Sequence, residues 1–457
     1  MRIATLPAPP AEAIAAGLAA IVGVDHVERA VRLADASGLA GVAPVLVHPG
    51  DAAEVAEAVA WAYAHGVAIV PVGGQTGYSG GIVPEGDVPQ VAIALDRLDR
   101  VRSFDPLLWR IEVEAGVTTA TVQRLARENG LLFPPDPGAP EQSQIGGNLA
   151  TNAGGPHAFK YGVTSRWVTG VEAVLAPGDL VRFGGAIRKD VAGYDLRSLL
   201  IGSEGTLGII TAAFLRLVPA PRMAVPIVAT YGSIAEGVQA IEAALASNVV
   251  PAAIEYLQGS AIRHAPPPFL DDTSNLDFLV IAEAESHDER AALLEALGPG
   301  AREHDAAAVW RWRGGVSLAV RAVMGEKLAE DIAVPLDHLG EAIARTLEIG
   351  AEVGLEATSW GHAGDGNVHS TFLYDPADPE QQRRADAAAA ALFDLARELG
   401  GSVSGEHGLG VLKRGQLLGQ WSEPAVAAHE AIKRALDPAN LLNPGKKVAR
   451  PAPGETL

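Results

Sequence analysis

Among its 457 residues the chain has no cysteine. That absence excludes disulfides, thiolate metal sites, iron–sulfur ligation and thiol nucleophiles together. Positive charge is also scarce: 35 Lys and Arg stand against 55 Asp and Glu, a formal net charge of -20. Such a field repels phosphate backbones and anionic lipid, so nucleic acid is a poor partner. An anionic substrate must then be caught by local cations, a metal or helix ends. No apolar run approaches the roughly 18 residues of a membrane span. The apolar stretch 13–24 follows Glu12, lacks a cleavage site and is expected as a short helix, not a leader. A cytoplasmic protein with no transmembrane segment fits these absences. What is abundant is hydrophobic content, 48%, enough over this length for two or more domains.

From Val42 to Val72 the pattern reads as a βαβ unit. Asp51 is its N-cap, Val55 and Val59 lie one helical turn apart, Gly66 is the stop, and Val67 to Val72 forms the second strand. Further strands are expected at Val91 to Leu95 and Arg110 to Glu114, and a helix from about Thr119 to Asn129. Pro219-Ala220-Pro221-Arg222 suggests a linker, after which Ile234 to Ser247 is helical and Asp277 to Glu285 a strand. Alanine-rich Ala385 to Leu399 and Ala425 to Leu436 complete the helices, stopped by Gly400-Gly401 and Asp437-Pro438.

Glycine is concentrated in three loops. Gly73-Gly74-Gln75-Thr76-Gly77-Tyr78-Ser79-Gly80-Gly81 holds five glycines in nine positions. Gly146-Gly147-Asn148-Leu149-Ala150-Thr151-Asn152-Ala153-Gly154-Gly155 and Gly202-Ser203-Glu204-Gly205-Thr206-Leu207-Gly208 are the others. Glycine lets consecutive N–H groups converge on a phosphate without side chains in the way. Three separated loops suit one large, nucleotide-like ligand, the first loop cradling its pyrophosphate. None matches the dinucleotide or P-loop fingerprints, so neither a Rossmann site nor nucleotide hydrolysis is supported. Gly77 to Gly81 formally fits a serine-hydrolase elbow, but an elbow needs a helix after the serine, and Pro84 and Pro89 follow here.

Taken in order, these loops, Phe133-Pro134-Pro135-Asp136-Pro137-Gly138 and Gly193-Tyr194-Asp195-Leu196 resemble FAD-linked oxidases of the vanillyl-alcohol oxidase fold. His362-Ala363-Gly364-Asp365-Gly366-Asn367-Val368-His369, Ser404-Gly405-Glu406-His407-Gly408 and Leu442-Asn443-Pro444-Gly445-Lys446 resemble its D-2-hydroxy-acid dehydrogenase branch. That branch holds glycolate oxidase catalytic subunits, D-lactate dehydrogenases and D-2-hydroxyglutarate dehydrogenases. Gly155 to Val163 most resembles the glycolate oxidase subunit, with Ala158 where a cysteine is common, so the lean is toward glycolate or D-lactate.

The resemblance implies an α+β fold: an FAD-binding domain of two α+β subdomains over 1–219, an α+β cap domain over 220–420, and a segment 421–457 returning to the FAD domain. It assigns FAD to Pro71, Gly73, Gly74, Gln75, Thr76, Gly77, Ser79 and Gly80; to Pro135, Asp136 and Gly138; to Gly146, Gly147, Asn148, Thr151, Asn152, Gly154, Gly155, Tyr161 and Gly162; to Glu204, Gly205, Gly208, Ile209 and Ile210; and to Asn443. The first loop contains no histidine, so FAD is expected to be non-covalent, with His157 a loop residue near the flavin.

Two imidazoles and a carboxylate, His362, His369 and Glu406, make a borderline divalent site with open positions, suited to zinc or a similar ion. By the family pattern His407 takes the hydroxyl proton of a small 2-hydroxy acid, and Arg313 and Lys327 hold its carboxylate, Arg313 bidentately. A quinone, an electron carrier or oxygen stands as acceptor. Competing readings are a metal-dependent hydrolase on the same three ligands and a catalytically silent FAD-binding subunit of a larger complex.

Overall fold

Asp51 caps the helix that its position leads one to expect: its side chain accepts hydrogen bonds from Ala53 N and Glu54 N, and the helix runs Ala52–Ala64. Val55, Ala58, Val59 and Ala62 on one face are buried with Val45, Ile69 and Val91. Each valine so buried is worth about 1.5–3 kcal/mol.

The computed structural model describes residues 9–85, 89–273 and 276–447. By contacts the chain divides into two units. One comprises Met1–Gly154, Val163–Ala220 and His407–Leu457; the other comprises Gly155–Gly162 and Pro221–Glu406. This division places 407–420 with the first unit and 155–162 with the second, where the sequence boundaries put them in the cap and the FAD domain respectively.

Within the first unit a four-stranded sheet has the order Val27–Ala34, Ala40–Val47, Gln90–Ala94, Ala68–Val72. The first pair is antiparallel and the others are parallel. The two strands of the expected βαβ unit are thus separated by Gln90–Ala94, which pairs with both. A five-stranded antiparallel sheet follows, ordered Val101–Asp105, Arg110–Glu114, Ile209–Arg216, Val168–Leu175, Asp179–Gly184. The C-terminal segment, after helix Glu423–Leu436, bonds to the first sheet: Ile69 N donates to Leu441 O and Asn443 N to Ile69 O, each at 2.7 Å. Residues 448–457 lie outside the described part of that segment.

The second unit is built on a seven-stranded antiparallel sheet, ordered Arg302–Glu303, Val225–Tyr231, Phe278–Ala284, Ile254–Gln258, Glu356–His362, Asn367–Tyr374, Glu326–Ala333. Side chains alternate between its faces. Helix Ala306–Met324 covers one face, where Val309, Val316 and Val320 pack with Leu257, Ile281 and Trp360. Helix Leu339–Val353 covers the other, Thr346 Oγ1 meeting Ser370 Oγ at 2.7 Å. The alanine-rich helix begins earlier than its apolar pattern, at Pro379, because Asp378 accepts from Glu380 N and Gln381 N. Among the described residues no helix is long and apolar enough to cross a membrane.

Candidate active site

Strands Glu356–His362 and Asn367–Tyr374 pair around the turn Ala363–Asp365, with Trp360 opposite His369 and His362 opposite Asn367. Trp360 and His362 are two apart, so His362 and His369 project from the same face. The turn closes because Gly366 takes φ +68°, and a Cβ there would stand 2.1 Å from Val334 O. The sequence pattern leads into a strand after the turn; the structure shows a strand on both sides, with one imidazole on each.

The two rings stand edge to face, centroids 5.1 Å apart. His362 Nε2 lies 3.1 Å from Glu406 Oε1, His369 Nε2 lies 3.4 Å from that same oxygen, and the two Nε2 atoms are 3.4 Å apart. One ligand atom from each of the three lies within 4.8 Å of the others. Glu406 is anchored through its backbone N, which donates to Asp331 Oδ2 at 2.5 Å, and Asp331 sits opposite His369 in the sheet. This donor set fits a divalent ion of zinc type.

Behind His362 stands Glu255, a fully buried carboxylate whose Oε1 is 2.5 Å from His362 Nδ1. Burial would lower the His362 pKa, but the carboxylates of Glu255 and Glu406 outweigh it and hold it well above the ordinary imidazole value. Without an ion, the two carboxylates favour the protonated form of His362.

Arg313 does not present a free fork. Its Nε donates to Glu255 Oε2 at 2.7 Å, so the Nε side of the guanidinium is taken and a bidentate grip on substrate would have to use the Nη1–Nη2 edge. Nη2 lies 2.7 Å from that same oxygen but off the hydrogen-bond direction, and it is a buried donor with no hydrogen bond. Lys327 Nζ donates to Ser317 Oγ at 2.8 Å and lies 5.1 Å from the Trp360 ring centroid. Burial, with Arg321 nearby, brings the Lys327 pKa down to about 8.

Gly155, Tyr161 and Gly162 also fall in the second unit. Tyr161 Oη donates to Glu285, at 2.6 Å to Oε2. His157 is held by Glu283 Oε1 at 2.8 Å, and Trp310 Nε1 donates to the other oxygen of that carboxylate.

The first unit brings the three glycine stretches and the C-terminal motif together, but the second, expected as a loop, is a helix over Ile145–Thr151, since its glycines are followed by Asn148 N bonding back to Gln144 O and by Asn152 as a left-handed cap. A Cβ built on Gly73 would come no nearer than 3.5 Å to any atom, that atom being Gly147 Cα, and one on Gly147 would meet nothing within 4 Å. Gly205 takes φ +72° and faces Pro71, where a Cβ would stand 2.4 Å from the ring. Asn443 Nδ2 donates to Gly81 O and Glu204 O, at 2.9 and 2.8 Å. Gln75 and Glu204 take positive φ, as do Asn443 and Asn152, the last as the left-handed cap of helix Ile145–Thr151. Glu204, assigned to the cofactor from sequence, turns its carboxylate to Leu409 N and Gly410 N, which ties the stretch 407–420 to the third loop.

Buried Gln144 Oε1 and Asn443 Oδ1 have no hydrogen-bond partner in the protein. Orphaned polar atoms beside open space at glycines suit an extended, hydrogen-bonding nucleotide. Pro135, Asp136 and Gly138 lie in a loop without helix or strand, where a Cβ on Gly138 would meet nothing within 4 Å. No helix follows Ser79 over 79–85, and Ser79 O accepts from Val411 N at 2.9 Å, so the elbow reading has no support.

Several residues escaped the sequence reading. Asp35 Oδ2 accepts from Gly80 N at 2.9 Å and so shapes the first loop. Gln144, Glu255 and Asp331 are the others; for Glu255 the one signal is a carboxylate among apolar residues of its strand, and Asp331, in the charged strand Glu326–Ala333, has none.

Comparison with known proteins gives two family matches: "FAD binding domain" over residues 43–184 and "FAD linked oxidases, C-terminal domain" over residues 220–447. The chain is 33% identical to glycolate oxidase subunit GlcD of Bacillus subtilis (strain 168) over 427 residues, 89% of each chain. It is 33% identical to a D-2-hydroxyglutarate dehydrogenase of Xanthomonas citri pv. viticola, covering 87% of this chain and 88% of that one. Among solved structures, p-cresol methylhydroxylase with substrate bound superposes with TM-score 0.78 over 97% of this chain and 98% of that one. At 17% identity that likeness establishes the fold alone.

Proposed function

The chain belongs to the FAD-linked oxidases, and from that membership we propose that it oxidises a small D-2-hydroxy acid to the 2-oxo acid, assisted by a divalent metal. Glycolate and D-lactate are the leading substrates, on the likeness of 155–163 to glycolate oxidase subunits. The carrying observation is the convergence of His362, His369 and Glu406 within 4.8 Å, in a chain that also matches an FAD-binding domain. A hydrolase on the same ligands has no use for that domain. A silent FAD-binding subunit has no use for the ligands.

FAD held by the first unit would supply the hydride acceptor for the substrate's α-hydrogen, and an ion held by His362, His369 and Glu406 would supply positive charge that lowers the hydroxyl pKa. The residues do the rest. Gly73 to Gly77 and Gly147 would offer backbone N–H groups to the dinucleotide, held non-covalently, whereas those of Gly80, Gly146, Asn148, Asn152 and Ala153 are bonded within the chain. Lys327 supplies a local cation that a chain of net charge -20 needs for an anionic substrate, and Arg313, its charge paired with Glu255, supplies a hydrogen-bond donor. His407, next in sequence to Glu406, receives the hydroxyl proton. A quinone, a carrier protein or oxygen takes the electrons, and the absence of cysteine suits a cytoplasmic location.

Anaerobic titration with a panel of D- and L-2-hydroxy acids tests this reading. Bleaching of the flavin by D-acids or glycolate, with L-acids inert, is the expected result. A flavin that no hydroxy acid reduces would refute it.

A further inference from the structure

Glu255 is fully buried at the centre of the seven-stranded sheet, opposite His362 in the pairing of Ile254–Gln258 with Glu356–His362. A carboxylate there is costly unless each oxygen is engaged. Each is engaged, by a different kind of group: Oε1 with His362 Nδ1 at 2.5 Å and Oε2 with Arg313 Nε at 2.7 Å. Arg313 comes from helix Ala306–Met324, so this one side chain ties the hairpin to the helix above that face.

We propose that Glu255 is a positioning residue serving two groups at once: it holds His362 with Nε2 turned toward Glu406 and His369, and it holds Arg313 with Nη2 left as a buried donor for one oxygen of the substrate carboxylate. The inference rests on the metal reading above. Geometry supports the first arm, since a carboxylate on Nδ1 fixes the tautomer and ring orientation of a ligating imidazole and raises its basicity. The second arm follows from Nη2, which stands 2.7 Å from Glu255 Oε2 yet makes no hydrogen bond, an unusual state for a buried guanidinium nitrogen. Charge explains why both arms share one residue. Alone, a second carboxylate would cancel the positive charge that an ion brings beyond Glu406; paired with Arg313, Glu255 supports the imidazole without that loss.

The test uses the full-length, FAD-loaded protein stripped of metal and titrated with Zn²⁺ against a competing chelator. Glu255→Gln should keep its FAD and bind Zn²⁺ about 10- to 100-fold more weakly, as for loss of an outer partner of a ligand. The Co²⁺-loaded variant should show shifted absorption above the flavin bands, because His362 is no longer held at one angle. Glu255→Gln combined with His362→Ala should bind Zn²⁺ no more weakly than His362→Ala alone. At saturating Zn²⁺, Glu255→Gln should raise KM for the hydroxy acid about tenfold, and adding Arg313→Gln should raise it no further than Arg313→Gln alone. Where Glu255→Gln does not accumulate with FAD, Glu255→Asp, one methylene short of both partners, should change the Zn²⁺ affinity and KM in the same directions. A variant with wild-type Zn²⁺ affinity, or effects that multiply in the combined variants, would overturn the proposal while leaving the metal reading intact. Wild-type protein that takes up no Zn²⁺ would remove the metal reading and this inference together.

Discussion

Tyr78 and His407 stack, with ring centroids 4.6 Å apart and planes inclined by 19°. An imidazole from the stretch 407–420 of the first unit thus lies against a side chain of the first glycine loop. For His407 as base this means a ring restricted in orientation. His407→Ala is expected to keep FAD and metal while flavin reduction slows on the order of 10²- to 10⁴-fold, the usual cost of losing a general base. Anaerobic stopped-flow reduction, with reoxidation as the control, measures it. Wild-type reduction in this variant would assign the proton to another group.

Chelation should abolish turnover and leave FAD bound, with about one divalent ion per chain before treatment, as for a single three-ligand site. His362→Ala should lose most of that ion. Metal analysis beside the flavin spectrum gives the answer, and full activity in metal-free protein would return the two histidines to a structural role.

Metal affinity should fall as pH falls. The two carboxylates hold the His362 pKa above its ordinary value, so below that raised pKa a proton occupies the imidazole that an ion must displace. Binding should release about one proton in that range, readable by calorimetry in buffers of different ionisation enthalpy. Binding that is insensitive to pH would contradict the pairing.

Lys327 should give the opposite trend in substrate binding. Its amine is charged only below about pH 8, so KM for the hydroxy acid should rise as pH passes that value. Lys327→Met should show a KM raised about 10- to 100-fold at pH 7, the worth of one charged hydrogen bond, without the pH dependence. A pH profile of KM in which the variant follows wild type would remove Lys327 from the site.

Gly205→Ala should destabilise the first unit by about 2–4 kcal/mol, combining the strain of positive φ with a forced contact. The contact is with Pro71, 2.4 Å from the built Cβ. Urea unfolding and flavin content should both report it, and a variant as stable and as yellow as wild type would show that the loop has room to shift. The flavin of the wild-type protein should leave on acid precipitation, since the first loop has no histidine; colour retained by the precipitate would reopen a covalent link.

By itself the sequence determined what depends on neighbouring residues. Asp51 as a cap, the helix it starts and strand Arg110–Glu114 follow from local backbone rules and are found within a few residues of their expected places, whereas the second glycine stretch, expected as a loop, is helical over Ile145–Thr151. The paired histidines were legible because seven residues and three glycines leave room for little but a turn. Tertiary structure decided what depends on distant pairing. Gln90–Ala94 enters between the two strands of the βαβ pattern, an order that no local signal encodes. Glu255 reads in sequence as one acid in an apolar strand, and only its register against His362 and the helix carrying Arg313 make it a buried partner to both. Arg313 shows the same limit in reverse: its charge was visible, but whether that charge was free depended on a carboxylate 58 residues earlier. Capping and backbone strain act over a few bonds, whereas the pairing of buried charges is settled only when the chain closes around them.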